Sequence, residues 1–289
     1  MSPYDLLLPL LGGLTGLALG ALGSGGSILA LPAFVYAASL PVKPAVATSL
    51  AVVGMTSLIG AILAQRRCKT FGCPGQEVDA RIAGLFLLGG LVGAFTGARL
   101  SHLLLDTAQM LLFAAAIVTA AIGMLRRRNA GIARKKPAAP HPTRQLPFWL
   151  LIPLLGLGVG LLTGTVGVGG GFLIVPTLTL LADVPVKRAA ATSLWIIAAN
   201  SATGMLGYLG KVPIAWGPAG LFLAASLVGM VAGQSVARSA RPQRLQTAFA
   251  VFLLLVGGFT LAKTLTAKSP SASSSAAPSG QPIRSSARR

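Results

Sequence analysis

The sequence predicts an all-α polytopic membrane protein with two repeats, each of about four transmembrane helices plus one short half-helix. Of the 289 residues, 54% are hydrophobic and only 10% are charged, whereas soluble domains carry about 25% charged residues. Several apolar runs reach or approach the ~20 residues that cross a bilayer. The duplication appears when the sequence is shifted by 144 positions, because Gly16–Pro32 then lies over Gly160–Pro176 without a gap.

The two copies keep this register well beyond the first stretch. The sequence PVKPAVATSL (Pro41–Leu50) lies over PVKRAAATSL (Pro185–Leu194), and Ser57 lies over Ser201. We therefore divide the chain into four parts. They are a first transmembrane repeat (4–125), a basic linker (126–146), a second transmembrane repeat (147–266) and a disordered tail (267–289).

Each half contains five apolar segments. They cover 4–22, 27–40, 44–64, 82–98 and 103–125 in the first half, and 147–165, 171–183, 188–210, 214–236 and 245–266 in the second. Segments 27–40 and 171–183 are too short to cross as helices, since a helix rises only ~1.5 Å per residue and the hydrocarbon core is ~30 Å thick. Each also contains a proline. We predict that both are half-helices that dip into the membrane or complete a broken helix.

Basic residues indicate which side a loop faces, because cytoplasmic loops are enriched in Lys and Arg. If the half-helices do not cross, eight helices span. The loop Arg66–Arg81, the linker, Lys211 and the tail then share one side and hold most of the basic residues, which favours a cytoplasmic position for both termini and the linker. If the half-helices cross, ten segments span, both termini lie outside and the linker stays cytoplasmic. Eight crossings make the repeats parallel and ten make them inverted.

The net charge of +19 does not require a nucleic-acid partner. The basic residues fall between apolar runs and in the tail, where the positive-inside rule places them, and the chain has no soluble domain to carry a recognition motif. The linker RRRNAGIARKKPAAPHPTRQ has seven basic residues, no acidic residue and three prolines. Such a segment is typically flexible, and it attracts anionic lipid.

Two glycine clusters interrupt the helices at matching positions. Gly23-Ser24-Gly25-Gly26-Ser27 precedes the first half-helix and Gly167-Val168-Gly169-Gly170-Gly171 precedes the second. A helix that starts after such a break leaves its first amides without intrahelical acceptors, and these amides with the helix dipole bind anions. Matching broken helices in two repeats indicate a transporter's binding site. The alternative is helix packing, which we assign to the regular four-residue ladders: Gly12, Gly16, Gly20, Gly89, Gly93, Gly97, Gly160, Gly164, Gly229 and Gly233.

Small polar residues follow on the next helix of each repeat. Ser49 and Thr56 are seven residues apart, as are Ser193 and Asn200, so each pair shares a helix face. The alternative is that Ser and Thr bond back to their own helix carbonyls; it is weaker for Asn200, because an amide is costly in lipid without a partner. The predicted substrate-binding residues are Gly23, Ser24, Gly25, Gly26, Ser27, Ser49, Thr56, Gly167, Gly169, Gly170, Gly171, Ser193 and Asn200.

Lys43 and Lys187 open this helix in the two repeats. They are either vestibule residues that attract anions or snorkelling anchors at a helix end.

The sequence contains no pattern typical of an enzyme, a cofactor site or a metal site. The five acidic residues and two histidines all fall at segment ends or in loops, so no proton relay through a carboxylate or imidazole in mid-membrane is predicted. Cys68 and Cys73 share a loop without further metal ligands. The expected partners are a small anionic substrate and the lipid bilayer, and nothing in the sequence specifies an oligomeric state.

Two copies of G-x-x-x-G…G-x-G-G-[GS]…P, each followed by A-x-A-T-S-L, resemble the TauE/SafE family of sulfite and organosulfonate exporters. The second copy, GTVGVGGGFLIVPTL…AAATSL, is very close to the family's pattern. The first departs from it at Ser24 and Ser27, where the family more usually has an apolar residue and glycine. The resemblance covers Leu6 to about Leu265. It implies a bacterial inner-membrane permease of about eight helices that moves small sulfur-containing anions, usually outward.

Three functions are therefore compared. The first is an exporter of sulfite or an organosulfonate. The second is an importer of a sulfur compound or another small solute. The third is a membrane scaffold or sensor that transports nothing. An anion that leaves a cell with a negative interior is driven outward by about 2.3 kcal/mol per charge per 100 mV, so an exporter needs no coupling ion.

Overall fold

The computed structural model describes residues 3–22, 27–71, 78–133, 148–180, 184–239, 251, 254–260 and 262, and it confirms the predicted all-α fold in these residues. The helices are α1 (Pro3–Leu22), α2 (Ser27–Pro32, followed by a π-helical turn Ala33–Ala37), α3 (Val42–Phe71), α4 (Ala80–Leu100), α5 (Asp106–Ala133), α6 (Phe148–Val166), α7 (Gly171–Leu180), α8 (Val186–Tyr208) and α9 (Trp216–Ser239). A further helical stretch covers 254–260. The predicted first glycine break, Gly23–Gly26, and the tail lie outside the described residues.

Five of the described helices are long and apolar enough to cross a membrane. Their apolar stretches are Val42–Arg66, Ala80–Leu103, Asp106–Gly123, Trp149–Val166 and Trp216–Ser235. Helix α8 is 23 residues long but carries several buried polar residues, and it packs against α3, α4 and α7. Because protein surrounds this helix, its polar side chains are kept from lipid. Helix α5 continues past the predicted start of the linker, Arg126, to Ala133, since the first proline comes only at Pro137.

The helix bounds follow the duplication. Helix α1 ends at Leu22 and α6 at Val166; α2 begins at Ser27 and α7 at Gly171; α3 begins at Val42 and α8 at Val186. Each of these pairs is separated by the same 144 positions as the repeated sequence. Helices α2 and α7 are only six and ten residues long, which confirms that segments 27–40 and 171–183 contain short helices.

The two halves pack by exchanging helices. Helix α1 packs mainly on α9, and its counterpart α6 packs mainly on α4. A Cβ atom added to Gly16 would overlap with the Ser226 backbone, and one added to Gly160 would overlap with the Gly90 backbone. Similar overlaps occur at Gly20, Gly89, Gly93, Gly97, Gly164, Gly229 and Gly233, and a Cβ on Gly12 would lie 2.8 Å from the Phe222 carbonyl oxygen. The predicted packing role of the glycine ladders is therefore confirmed.

Corresponding helices of the two halves run in opposite directions. Gly54 lies against Ser201 and Gly204 lies against Leu50, so residue numbers rise along α3 as they fall along α8. The two helices are antiparallel and cross close to the counterpart residues Thr56 and Asn200. The repeats are therefore inverted with respect to each other.

Helices α1, α3 and α9 share one direction. Gly12 meets Phe222 and Gly20 meets Met230, which makes α1 and α9 parallel. Helix α3 is parallel to α9 as well, because Thr48 contacts Ala215 and Thr56 contacts Ser226. Since α1 and α3 run the same way, the chain between them must return across the molecule through α2.

The same holds in the second half. Gly89 meets Pro153 and Gly97 meets Leu161, so α4 and α6 are parallel. Gly90 of α4 meets Asn200 of α8, and Ala98 of α4 meets Gly207 of α8, so α8 is parallel to α4. The chain from Val166 to Val186 therefore returns across the molecule through α7. Among the described residues, the half-helices α2 and α7 therefore each form part of a return across the molecule.

Of the two schemes left open by the sequence, the directions of the described helices agree with the one that has ten crossings. Near the end of α6, the Thr165 carbonyl oxygen accepts a hydrogen bond from the side-chain amide of Gln109, which lies at the start of α5. Helix α5 thus runs opposite to α6 and in the same direction as α1. The start of α1 and the end of α5 therefore lie at opposite faces of the described helices.

We expect Gly160→Ala to destabilise the protein, because its new Cβ would overlap with the Gly90 backbone. Overpacking of this kind costs about 1–3 kcal/mol. The matched control is Gly158→Ala on the same helix, which has open space within 4 Å and should be neutral or slightly stabilising, given alanine's higher helix propensity. Thermal melting in detergent measures both. Equal midpoints for the two variants would show that the α4–α6 contact is not close.

We expect residues at Arg81 and Lys211 to label from opposite sides of the membrane. Both side chains are exposed. Arg81 lies in the first turn of α4 and Lys211 lies after the end of α8, and these two helices run parallel. Single cysteines at these positions, in a chain with Cys68 and Cys73 replaced by serine, would be treated with a membrane-impermeant maleimide on intact cells. One position should react and the other should react only after lysis. Reaction of both from the same side would restore the eight-crossing scheme.

Candidate functional site

The break between α6 and α7 is a turn made possible by glycine. Gly167, Gly169 and Gly170 have φ angles of +78°, +66° and +66°, a region that L-residues with side chains rarely adopt. The Gly167 N–H donates to the Thr163 carbonyl oxygen (2.8 Å), and the Leu173 and Ile174 N–H groups both donate to the Gly170 carbonyl oxygen (2.9 and 3.0 Å). Within the described residues, no acceptor faces the amides of Gly169, Gly170 and Gly171. These three amides are therefore free donors at the N-terminus of α7.

The break extends inward from the start of α3 to the crossing of α3 and α8. A Cβ atom on Gly167 would overlap with Val46, near the start of α3. One on Gly169 would lie 2.6 Å from Val53 Cγ1 and 2.9 Å from Ser201 Oγ. Residues 163–171 are all buried. The free amides thus lie in the interior of the protein, beside the middle of α3 and α8.

Ser49 holds the break in place. Its hydroxyl group contacts the carbonyl oxygens of Val46, in its own helix (2.8 Å), and of Gly167. Ser49 and the second glycine cluster, both predicted as substrate-binding residues, therefore lie in contact. Because its proton is donated to protein carbonyls, Ser49 positions the break.

Two further predicted residues, Thr56 and Ser193, also donate to backbone carbonyls of their own helices. Thr56 donates to Val52 (2.7 Å) and Ser193 to Ala190 (2.9 Å). Thr56 forms a second hydrogen bond, to the Ser226 hydroxyl (3.1 Å). The packing interpretation of small polar residues thus applies to both. Ser27 is buried at the start of α2.

Three side chains at the crossing have polar atoms without a hydrogen-bond partner among the described residues. They are Ser57, Asn200 and Ser201, all fully buried. A buried polar group left unpaired costs about 1–3 kcal/mol, so such groups are rare in the interior of a protein unless a ligand or ordered water completes them. Ser201 lies beside Gly169, and Asn200 faces Gly90 of α4. We use the name polar pocket for these three side chains taken together with the amides of the break.

The two predicted vestibule lysines lie at opposite faces. Lys43 is half-buried in the first turn of α3, and Lys187 lies in the first turn of the antiparallel α8. The structure therefore does not bring them together. Lys43 lies at the face where the α6–α7 break begins. Lys187 lies at the face where α7 ends.

The structure also assigns a role to two threonines that were not predicted as site residues. The Ala215 N–H donates to the Thr48 hydroxyl (3.1 Å), and the Asp79 N–H donates to the Thr192 hydroxyl (3.2 Å). The first bond joins Thr48 of the first half to the residue that precedes α9 in the second half. The second bond joins Thr192 of the second half to the residue that precedes α4 in the first half. The repeated A-x-A-T-S-L sequence contained these threonines, but their partners lie far away in the chain.

The contacts of this pocket come from backbone amides, hydroxyls, one carboxamide and apolar side chains. No group of three His, Cys, Asp or Glu side chains lies together among the described residues. The described acidic residues, Asp5, Asp79 and Asp106, are at the starts of α1, α4 and α5. The pocket can thus donate hydrogen bonds to an uncharged or negatively charged solute without any ionised side chain.

The sequence of this chain matches known membrane proteins. A profile of the family described as sulfite exporter TauE/SafE matches residues 8–260. A probable membrane transporter protein of Xylella fastidiosa (strain Temecula1) is 30% identical over 252 residues, which cover 86% of this chain and 92% of that protein. The probable membrane transporter protein YunE of Bacillus subtilis is 27% identical over 271 residues, which cover 87% and 95%. No solved structure matches the chain.

The family match extends from α1 to the last described helical stretch, so it includes the duplicated helices, both half-helices and the pocket. Relatives from two bacteria share the description of a membrane transporter. Their similarity covers most of each chain, and the described helices include five that are long and apolar enough to cross a membrane. The chain therefore belongs to the TauE/SafE family and is a multi-pass membrane transporter.

Proposed function

We propose that this transporter exports a small sulfur-containing anion, sulfite or an organosulfonate, across a bacterial inner membrane. The observation that carries the proposal is the set of unpartnered polar atoms at the crossing of α3 and α8. They lie beside three free amides at the N-terminus of α7. The description of the family as sulfite exporters supports the substrate class.

The chemistry of the pocket suits an oxyanion. Free N–H groups at a helix N-terminus, with the positive end of the helix dipole, attract negative charge. The Ser201 hydroxyl and the Asn200 Nδ2 group add two donors in a region enclosed by protein. Such donors interact with charge more strongly than in water, because the surroundings have a low dielectric constant. The predicted residues assigned to the substrate are Gly169, Gly170, Gly171 and Asn200, with Ser57 and Ser201 added.

The distribution of basic residues supports an orientation. Arg66, Arg81 and Arg188 lie at the face where α5 ends. The linker, which holds seven basic residues, follows α5 in the sequence. The opposite face carries Lys43, Arg99 and Lys211. We assign the linker face to the cytoplasm by the positive-inside rule, which places the start of α1 outside.

We expect Gly169→Ala to lower sulfite flux in proteoliposomes at least about tenfold, since loss of one hydrogen bond to a charged group costs about 1.5–3 kcal/mol. The added Cβ would lie 2.6 Å from Val53 Cγ1 and 2.9 Å from Ser201 Oγ, so it would displace the ligand or the break. Ser201→Ala should act in the same direction, because it removes a donor.

The matched control is Gly210→Ala. Gly210 has a φ of +76° but nothing within 4 Å of an added Cβ, so it tests backbone strain alone and should keep flux within about twofold of the original chain; strain of this type costs about 1–2 kcal/mol of stability. Wild-type flux in Gly169→Ala would place transport elsewhere. If the unmodified chain moves no sulfite or sulfonate, the substrate class is wrong.

We expect a membrane potential alone to drive the flux. With a K⁺ gradient and valinomycin, sulfite should accumulate on the positive side, because each 100 mV contributes about 2.3 kcal/mol per charge. The measurement is isotope distribution between the inside and outside of the vesicles, without Na⁺ or proton gradients. A flux that appears only when one of these gradients is imposed would indicate a coupled transporter, and accumulation against the potential would favour import.

A further inference from the structure

The two halves place different residues at one corresponding position beside the crossing. Thr56 and Asn200 are counterparts in the duplication. Gly16 of α1 packs on Ser226, and its counterpart Gly160 of α6 packs on Gly90, which makes Ser226 and Gly90 counterparts in α9 and α4. The first half thus contributes Thr56 opposite Ser226, and the second contributes Asn200 opposite Gly90.

The Thr56–Ser226 pair is complete in itself. The two hydroxyls are 3.1 Å apart. Thr56 also donates to the Val52 carbonyl oxygen (2.7 Å), and Ser226 contacts the Leu223 carbonyl oxygen (2.9 Å). Both side chains are buried. Nothing in this pair requires a ligand, so it holds α3 against α9 as ordinary packing.

The Asn200–Gly90 pair is incomplete. Asn200 is fully buried, and neither its Oδ1 nor its Nδ2 atom has a hydrogen-bond partner in the described part of the chain. Gly90 lies at the position where Ser226 supplies a hydroxyl in the other half, but it has no side chain. A Cβ added to Gly90 would lie 2.8 Å from Asn200 Oδ1 and 3.1 Å from Nδ2. The absent side chain is therefore what leaves the carboxamide available.

We propose that Asn200 is a substrate-selecting residue and that Gly90 keeps its carboxamide free for the transported anion. The inference rests on the proposed function and narrows it. The Nδ2 group donates to an anion oxygen, and Oδ1 accepts from an O–H or N–H group. A pocket without a charged side chain, in which Asn200 Oδ1 adds an amide acceptor to the donors, selects a singly charged anion that itself carries a hydrogen-bond donor.

The test replaces the Asn200–Gly90 pair by the residues of the Thr56–Ser226 pair. In the double variant Gly90→Ser/Asn200→Thr, the threonine and serine are expected to hydrogen-bond as Thr56 and Ser226 do. Without any substrate, the melting midpoint in detergent should rise by about 2–4 °C, the shift typical of satisfying one unpaired group in a chain of this size. With substrate, the KM for sulfite in proteoliposomes should rise at least about tenfold, as for loss of one hydrogen bond to charge.

A selectivity measurement tests whether Asn200 Oδ1 accepts a hydrogen bond from the transported anion. Ethanesulfonate and 2-hydroxyethanesulfonate carry the same charge and differ by one hydroxyl. We expect the original chain to prefer the hydroxylated compound as a competitor of sulfite flux, and the double variant to lose this preference. A merely structural role for Asn200 would lower flux without changing the ratio of the two inhibition constants.

Two controls separate packing from selection. Gly84→Ser introduces serine at another position of α4, where an added Cβ meets nothing within 4 Å, and it should change neither the melting midpoint nor KM. Ser226→Ala breaks the closed pair, and it should lower the midpoint while KM stays at its original value.

The outcomes distinguish this inference from the proposed function. A double variant that melts higher but keeps the original KM and competitor ratio overturns the inference and leaves sulfur-anion transport standing. If the unmodified chain moves no sulfur anion, the proposed function fails, and the melting measurement still tests whether Asn200 is an unfilled polar group. A double variant that folds but melts no higher than the original chain would show that Asn200 was not unsatisfied.

Discussion

The structure depends on the absence of water around its backbone. In lipid, an irregular stretch of chain survives only where protein or a cavity surrounds it. The α6–α7 break meets this condition, because residues 163–171 are buried and Ser49 contacts the Gly167 carbonyl oxygen. The exchange of helices between the halves creates that interior. Without α3 and α8 packed beside the break, its free amides would face hydrocarbon.

Neither half can form this interior alone. Helix α1 requires α9, and α6 requires α4, for the close contacts that their glycines permit. The hydrogen bonds of Thr48 with Ala215 and of Thr192 with Asp79 join the halves again near both faces. The helices that carry the pocket are therefore held by partners from the opposite half. A change in the relative position of the halves must also change the surroundings of Gly169 and Asn200.

Much of this arrangement could be predicted from the register of the duplication. The matching glycines and prolines predict both short helices and the break, and the four-residue ladders predict close helix contacts. The direction of the halves could not be predicted by counting helix lengths. Extended backbone covers ~3.3 Å per residue and a helix only ~1.5 Å, so a glycine break plus ten helical residues can return across a membrane that ten helical residues alone cannot.

The site was predictable only in part, for a related reason. Gly169 and Asn200 are visible in the sequence as an irregular glycine and a costly amide. Whether a hydroxyl such as Thr56 is free depends on Ser226, which is 170 positions away. Likewise, nothing near Asn200 in the chain indicates that Gly90 will face it. Unpaired atoms are a property of three-dimensional packing, and hydrophobic patterns carry little information about it.

The inverted arrangement has a consequence for how such a chain can arise. Two copies of one ancestral unit must insert into the membrane in opposite orientations, so the charges that determine orientation had to diverge after the duplication. The last turns of α3 carry Arg66, Arg67 and Lys69, whereas the corresponding positions after α8 hold Gly210, Lys211 and Pro213. A unit with weak charge bias inserts both ways; adding basic residues to one copy, and a basic linker behind it, makes each orientation permanent.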